Sequence, residues 1–285
     1  MSRLMRLYYY GVFGAIGGLI GWQISNTIGL SFSSNVYLSD LVVGALIGVS
    51  VGALIGFAEG LPTRNFLNIA RTSLITGSLG LVGGAFGLPL AEWSFQILGG
   101  DPWARALGWG IFGLLIGVAA GVTSGAQMWK GALGGLLGGI LGGGLLEGAW
   151  QLLADPLLGK AIGLILLGAS VGIFIALIVY MLSKAWFTVT NGKLKGTDII
   201  LDKFIKLDGP AVFIGSSALK ADIVLPDPDI SPQHALLIGA GTHFTLKDIS
   251  LSGTFINKDR VEQVDLRDRQ SIQMGNTEFV YHERR

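Results

Sequence analysis

Six apolar stretches fill most of the first 182 residues and set the strongest limit on what this chain can fold into. Each has 16 to 22 residues, close to the length that an α-helix needs to cross the hydrocarbon core of a bilayer. More apolar stretches follow the first one at once, so we interpret it as a retained helix rather than a cleaved signal peptide. The predicted spans are Leu7–Ile24, Leu41–Phe57, Ser73–Leu90, Ala106–Val122, Gly131–Leu146 and Ala161–Leu182.

The composition changes abruptly at Lys184. Of the 45 glycines, 37 precede this residue, whereas 26 of the 39 charged residues lie from Lys184 onward. A chain of 285 residues has room for two domains. We therefore predict an α+β multidomain chain, with a glycine-rich transmembrane domain over residues 1–184 and a water-exposed domain over residues 185–285.

The predicted spans share two glycine patterns. A Gly-Gly-x-x-Gly pattern occurs in the first, third and fifth spans, and a Gly-x-x-x-Gly pattern occurs in the second, fourth and sixth. Glycines at four-residue spacing lie on one helix face and allow two helix backbones to approach closely. The alternation predicts three related helical hairpins. The glycines concerned are Gly17, Gly18, Gly21, Gly83, Gly84, Gly87, Gly138, Gly139 and Gly142 in the first pattern, and Gly48, Gly52, Gly117, Gly121, Gly168 and Gly172 in the second.

The charged residues of the membrane half predict its orientation. One side would carry most of the basic residues, and the other side would carry most of the acids together with Arg105 and Lys160. Because Lys and Arg prefer cytoplasmic loops, we expect both termini in the cytoplasm, with the chain in a prokaryotic cell membrane. The basic side would hold Arg3, Arg6, Arg64, Arg71, Lys130 and Lys184, and the acidic side Asp40, Glu92, Asp101, Glu147 and Asp155.

Two tryptophan-bearing segments were expected to lie as short amphipathic pieces at the outer interface, where tryptophan is favoured. They are Ala91–Trp103 and Glu147–Leu158. Glu92 and Glu147 occupy matching places in two of the hairpins. Exposed acids near helix ends are more often solvated than functional, although paired carboxylates can form a metal or acid–base site.

The second domain reads as an all-β sandwich. Short runs of β-branched and aromatic residues alternate with turn residues, which is typical of two packed antiparallel sheets. The predicted strands are Phe187–Thr190, Thr197–Leu201, Phe204–Leu207, Ala211–Ile214, Asp222–Leu225, His234–Ile238, His243–Asp248, Thr254–Ile256, Ser271–Met274 and Thr277–Tyr281.

Four short motifs follow one another between Phe213 and Asn257. They read IGSS, ADIVLPD, ISPQH and DISLSGTFIN. Their order and spacing resemble the forkhead-associated (FHA) domain, in which the motifs are IGR, a strand of the form xDIxL, SRxHA and DLxSxNGTxVN. The resemblance covers about the last third of the chain. It implies a small β-sandwich that reads phosphothreonine peptides.

The resemblance implies a set of site residues, with two departures. Ser216 stands where the family has its phosphate-binding arginine, and Ser252 stands where it has an asparagine that holds the peptide backbone. Ser231 keeps the phosphate-binding serine, and Lys220 or Lys247 could supply a point charge. The implied phosphopeptide contacts are Ser216, Ser217, Lys220, Ser231, Ser252 and Thr254, and the residues implied to hold the loops are Gly215, His234, Gly253 and Asn257.

No catalytic set stands out in the sequence, and we expect neither an enzyme nor a metal or other cofactor. The chain has no cysteine, and its three histidines lack metal-ligand spacing. The cytoplasmic part has 13 basic and 13 acidic residues, so no nucleic-acid footprint is visible.

The sequence leaves three functions open. The sandwich could recruit a protein partner to the membrane, through phosphothreonine and a Ser/Thr kinase or as a phosphate-independent scaffold. The helices could instead form a channel or a carrier for a small neutral solute with a regulatory sandwich. A third possibility is a structural subunit of a larger membrane complex that docks through its glycine faces. The chain could act as a homo-oligomer or a hetero-oligomer in these cases.

Overall fold

The computed structural model describes residues 3–28, 36–61, 66–99, 102–123, 127–205, 209, 211–217 and 219–284. The chain divides into two compact units, a helical unit over residues 4–182 and a β-sheet unit formed by residues 183–285 together with residues 1–3. Arg64 and Asp101, two of the charged residues that predict the orientation in the membrane, lie outside the described residues.

Six long helices form the helical unit, as predicted from the apolar stretches. Five of them, α2 to α6, are long and apolar enough to cross a membrane, which indicates an integral membrane protein. The helices are α1 (Arg3–Ile28), α2 (Val36–Gly60), α3 (Phe66–Ile97), α4 (Pro102–Thr123), α5 (Met128–Leu152) and α6 (Pro156–Leu182).

Each helix extends beyond the apolar stretch that predicted it. Helix α3 continues through Pro89 as far as Ile97, and α5 continues as far as Leu152. Most of Ala91–Trp103 and most of Glu147–Leu158 are therefore ends or beginnings of the long helices α3 to α6, and the expectation of separate interfacial pieces was wrong. Helix α3 stops just before Gly99, which has a φ of 75°, a left-handed conformation typical of helix termini.

The Gly-Gly-x-x-Gly glycines bring α1, α3 and α5 against two neighbours each. A Cβ on the first glycine would meet the following helix: Gly17 faces Val51, and Gly138 faces Val171. A Cβ on the second glycine would overlap a carbonyl oxygen of a different helix. Gly18, Gly84 and Gly139 face the carbonyls of Leu164, Gly44 and Trp109, respectively.

The Gly-x-x-x-Gly glycines complete these contacts from the other side. A Cβ on Gly48 of α2 would overlap the Gly80 carbonyl of α3, and one on Gly117 of α4 would overlap the Gly131 carbonyl of α5. In the same way, Gly168 of α6 faces the carbonyl of Gly14 in α1. The first helix therefore packs against the last, and the six helices close into a ring.

Large apolar side chains fill the interior of the helical unit, and most of them come from α2, α4 and α6. Val51, Ile55, Phe112, Ile116 and Leu167 are fully buried in one cluster. Glycines of all six helices thus supply close backbone contacts, and α2, α4 and α6 also supply most of the apolar bulk.

The second unit is a two-sheet sandwich, as predicted. One sheet has the strand order β2-β1-β11-β10-β7-β8 and the other β4-β3-β5-β6-β9. The strands are β1 (Ala185–Asn191), β2 (Asp198–Ile200), β3 (Val212–Gly215), β4 (Ile223–Val224), β5 (Ala235–Gly239), β6 (Phe244–Asp248), β7 (Thr254–Ile256), β8 (Asp259–Val261), β9 (Gln263–Asp265), β10 (Ser271–Met274) and β11 (Thr277–Glu283).

Two parts of the strand prediction differ from the structure. A 3-10 helix over Asp202–Phe204 stands where the predicted strand Phe204–Leu207 begins. Ile205 follows it outside any strand, and Lys206 and Leu207 lie outside the described residues. The fully buried Asp202 carboxylate explains this turn, since it accepts hydrogen bonds from the backbone N–H groups of Lys184 (2.8 Å) and Ala185 (3.0 Å). Strands β8 and β9 were not predicted, because both are short and polar.

Candidate functional site

Three loops meet at one end of the sandwich, and together they contain most of the residues that the sequence singled out. They are the β3–β4 loop after Gly215, the β4–β5 loop that contains Ser231, and the β6–β7 loop from Ile249 to Gly253. The Ser216 N–H bonds to the Ser231 carbonyl at 3.0 Å, and the Gln233 amide donates to the Lys220 carbonyl at 3.0 Å. These bonds join the first loop to the second.

His234 joins the second loop to the third. Its fully buried ring receives the Ser231 N–H on Nδ1 at 3.3 Å, and its Nε2 lies 3.2 Å from the Gly253 carbonyl oxygen. An acceptor at Nδ1 and a carbonyl at Nε2 assign the neutral tautomer with the proton on Nε2. These contacts join His234 to both loops, and its predicted role in holding them stays a prediction.

Burial lowers the pKa of His234, and this effect outweighs the bond to the Gly253 carbonyl and the charges of Asp248 and Asp227. The neutral ring is the form that fits the loop, because a proton on Nδ1 would face the Ser231 N–H. The arrangement of the site therefore depends on a neutral histidine.

Asp248 organises the β6–β7 loop, although the sequence reading gave it no role. One of its carboxylate oxygens accepts from the Ser250 N–H, from the Ser250 hydroxyl and from the Thr254 hydroxyl, at 3.1, 2.8 and 3.1 Å. Thr254 is fully buried, so the structure gives it a role in holding the loop rather than the predicted peptide contact. The position of this aspartate at the start of the DIS motif was the sequence signal that could have indicated its role in the loop.

Glycine is needed at two positions of the site for different reasons. A Cβ on Gly215 would overlap the Pro232 carbonyl oxygen, so the first two loops can touch only through a glycine. Gly253 has a φ of 88°, a conformation that glycine adopts without strain. Asn257 also has a positive φ, of 50°, and holds the β7–β8 turn by pairing with the backbone of Ser271.

The predicted site has five hydroxyls, and besides that of Thr254, which is bonded to Asp248, one is bonded and three are open. The Ser216 hydroxyl donates to the Ile230 carbonyl at 2.7 Å and supports the loop. Within the described part of the chain, the hydroxyls of Ser217, Ser231 and Ser252 make no hydrogen bond to protein. Lys220 is exposed in the β3–β4 turn. These four side chains are available to an anionic ligand.

Arg260, which the sequence reading missed, lies against the third loop. It is an exposed residue of β8, and its Nε lies 2.8 Å from the place where a Cβ on Gly253 would be. Its guanidinium makes neither an ion pair nor a hydrogen bond with any residue that the structure describes. Arg260 is far from Ser216 in the sequence, so the motif spacing did not point to it. The pairing of β7 with β8 brings it beside Gly253.

Asp227 fixes the segment before Ser231. Although burial disfavours its charge, hydrogen bonds from the Asp229 N–H, the Thr277 hydroxyl and the Asn276 N–H outweigh that effect and lower its pKa. The bonds to Thr277 and Asn276 are 2.8 and 2.9 Å long and tie the β4–β5 loop to the β10–β11 turn. Among the described residues, no group of three or more His, Asp or Glu is placed to hold a metal ion.

The family comparison concerns the C-terminal unit. The FHA domain model matches residues 212–275. A comparison with curated protein sequences found no match.

Solved structures of FHA domains cover about a third of the chain. One, from work on phosphothreonine-dependent FHA domain interactions, is 23% identical and covers 36% of this chain and 98% of its own, with a TM-score of 0.31. The FHA domain of the CT664 protein from Chlamydia trachomatis is 28% identical and covers 36% of this chain and 100% of its own, with a TM-score of 0.32. The MEK1 FHA domain in complex with a phosphothreonine peptide of HOP1 is 21% identical, with coverages of 36% and 100% and a TM-score of 0.30. The C-terminal unit of this protein carries an FHA domain at residues 212–275.

Proposed function

We propose that this protein is a non-enzymatic membrane anchor whose C-terminal unit recruits a protein partner by binding a phosphothreonine segment. The observation that carries the proposal is the loop cluster at one end of the sandwich. There, buried His234 and half-buried Asp248 hold the loops in place, and the hydroxyls of Ser231 and Ser252 have no protein partner among the residues that the structure describes. A polar site that is fixed and unsatisfied is what an oxyanion ligand requires.

Arg260 supports the proposal because it offers the site a guanidinium, although the arginine that the family has at position 216 is absent. Ser216 cannot pair with a phosphate as arginine does, and its hydroxyl is already bonded to the Ile230 carbonyl. Arg260 lies on the other side of the site, against Gly253. A guanidinium can make two parallel charge-assisted bonds to a phosphate, each contributing about 1.5–3 kcal/mol.

The test is phosphopeptide binding by the full chain in lipid nanodiscs. A phosphothreonine peptide library is compared with the same library lacking phosphate. We expect Ser231→Ala to weaken phosphopeptide binding about tenfold, because one hydrogen bond to a charged oxygen is lost. The control is Thr242→Ala, in the β5–β6 turn at the other end of the sandwich. Equal binding of phosphorylated and plain peptides would instead support the phosphate-independent scaffold.

Arg260→Ala tests the second contact in the same assay. We expect phosphopeptide affinity to fall about 10- to 100-fold, with Arg260→Lys in between, since a lysine cannot form the planar fork. Arg267→Ala is the matched control, because Arg267 is exposed in the β9–β10 loop, away from the three loops. If the affinity of Arg260→Ala equals that of the parent, the phosphate is bound without Arg260.

The proposal also includes an arrangement in the membrane. All six helices would cross a prokaryotic cell membrane with both termini in the cytoplasm, where a Ser/Thr kinase could modify the partner. Since the chain has no cysteine, a single Lys195→Cys variant offers a unique label. A membrane-impermeant maleimide should label it only after the cells are opened. Labelling in intact cells would contradict the proposed orientation.

We further infer that the six helices are three related hairpins, α1–α2, α3–α4 and α5–α6. The contacts of the repeated glycines support this, because each motif position faces the equivalent neighbour in all three. For example, Gly21, Gly87 and Gly142 each face the second helix of their own hairpin. Since these faces are used inside the chain, a larger complex would dock through other surfaces.

A second candidate function, the binding of a small solute by the helical unit, is favoured by a charged cavity at one end of that unit. Its test is uptake by liposomes that contain the full chain.

A further inference from the structure

A cavity of about 360 Å³ lies at the end of the helical unit where α1, α3 and α5 end and α2, α4 and α6 begin. This volume is within the range of about 300–1,000 Å³ that is typical of small-molecule sites. Trp22, Trp109 and Trp150 contribute to its walls. The long polar and charged side chains that line it are Asn26, Asp40, Glu92, Arg105, Glu147 and Lys160.

These six residues form two sets of three that occupy equivalent places in the helix packing. Asn26, Glu92 and Glu147 each lie five residues after the last glycine of a Gly-Gly-x-x-Gly pattern. The other three, Asp40, Arg105 and Lys160, each lie four residues before the residue whose carbonyl faces the middle glycine of that pattern. The cavity is thus lined by matching positions from all three hairpins, and only the charges differ.

Arg105 is neutralised inside the protein. Its Nη2 and Nε lie 3.1 and 3.3 Å from one oxygen of Glu92, and its Nη1 lies 3.7 Å from Glu147. The guanidinium also stacks on Phe95 at 3.8 Å. With three satisfied contacts, Arg105 has little capacity left for a ligand.

Asp40 and Lys160 differ from Arg105 in this respect. Neither makes an ion pair or hydrogen bond within the described part of the chain, although the charges of Glu92, Arg105 and Lys160 act on Asp40 through space. Asp40 is half-buried, and the Lys160 ammonium lies 5.6 Å from the ring centre of Trp150. The cavity therefore offers one open carboxylate and one open ammonium.

We propose that this cavity binds a small zwitterion, with the ammonium of the ligand at Asp40 and its anionic group at Lys160. A single anion would face a lining of three carboxylates and two cations, a net charge of −1 from Asp40, Glu92, Glu147, Arg105 and Lys160. A single cation would leave the exposed Lys160 ammonium in the cavity lining without a counter-charge. A ligand that carries both charges satisfies both groups.

This chemistry occurs in free amino-acid-like solutes and in the phosphoethanolamine headgroup of a lipid. The probes are O-phosphoethanolamine and β-alanine, titrated calorimetrically into the full chain in detergent, with ethanolamine and inorganic phosphate as single-charge comparisons. The lipid source is tested by native mass spectrometry from nanodiscs that contain phosphatidylethanolamine or phosphatidylglycerol. Selective retention of phosphatidylethanolamine assigns a lipid headgroup, whereas binding of a soluble zwitterion without it assigns a free solute.

We expect at least one zwitterion source to bind, and each single-charge probe to bind at least about tenfold more weakly than O-phosphoethanolamine or β-alanine. Asp40→Asn and Lys160→Gln should each weaken zwitterion binding at least about tenfold. Asp259→Asn and Arg71→Gln are charge-matched controls away from the cavity and should bind as the parent does. The exchange variant Asp40→Lys with Lys160→Asp should recover binding, since the two positions are equivalent in the packing.

Two results would overturn the proposal. One is that neither soluble zwitterion binds and phosphatidylethanolamine is not retained over phosphatidylglycerol. The other is that ethanolamine or inorganic phosphate binds as tightly as the zwitterions, which would indicate a site for a simple ion. The comparison among probes uses the unaltered chain, so it decides the matter even if a variant fails to fold.

Discussion

Glycine has opposite uses in the two units of this protein. In the helical unit it removes a side chain so that backbones touch, as where Gly84 faces the Gly44 carbonyl. In the sandwich, Gly192, Gly196, Gly253 and others supply positive φ angles at turns. Between helices in lipid, close packing is a main source of stability, because the surrounding tails are as apolar as the helices. In the water-exposed unit a buried apolar core supplies most of the stability, and glycine is needed only where the chain turns.

The largest test of this comparison is Gly84→Ala in the helical unit. The added methyl would overlap the Gly44 backbone, which cannot move aside as a flexible side chain could. We expect α2 and α3 to separate, at a cost of about 1–3 kcal/mol or more. The measurement is unfolding of the full chain in mixed micelles. Gly148→Ala is the matched control, since a Cβ there has nothing within 4 Å. Equal stability of the two variants would contradict the close-packing explanation.

A smaller effect is expected from Gly215→Ala in the sandwich. Gly215 is the exception in its unit, because it resembles the helix glycines: its Cβ would overlap the Pro232 carbonyl oxygen, and its φ is not positive. We expect a loss of about 1–3 kcal/mol, together with faster amide hydrogen exchange in β3 and the Ser231 loop. Gly196→Ala, at a φ of 78° with open space around it, isolates the cost of conformation alone. If the two variants lose the same protection in the Ser231 loop, Gly215 acts only through its backbone freedom.

The smallest expected effect is a pH dependence confined to the sandwich. The folded pKa of His234 is below its unfolded value of about 6.5. Between these two values the unfolded chain binds more protons, so the free energy of unfolding falls as the pH is lowered through this window and is constant above it. Hydrogen exchange of β5 and the β6–β7 loop measures the change, with His243→Gln as a control. The same slope in a His234→Gln variant would show that another group titrates.

The apolar lengths predicted all six helices because a bilayer sets how long a spanning helix must be. Their ends were not predictable in the same way. Glu92 and Glu147 look like interfacial loop residues in sequence, yet they lie within α3 and α5, where Arg105 pairs with both. The prediction of the helix ends from the polarity of single residues was therefore wrong. The ion pairs that place these acids inside helices form only in the folded protein.

The site shows a similar division. The motif order predicted which loops meet, because the motifs fix where strands begin and turn. It did not predict which hydroxyls stay open, since Ser216 and Thr254 are bonded to Ile230 and Asp248 through contacts that spacing does not encode. Arg260 could not be found for the same reason, because it lies beside Gly253 only after β7 and β8 pair.

The packing of α1 against α6 has a consequence for biosynthesis. Gly14 and Gly18 find their partners, Gly168 and Leu164, only in α6, which leaves the ribosome after α1 to α5. Until α6 is made, one flank of the first helix has no packing partner within the chain. A nascent chain that stops before α6 would leave that flank open to other membrane proteins. Quality-control proteases of the membrane should therefore distinguish chains that lack α6 from chains that contain it, because the contact between α1 and α6 is missing in the former.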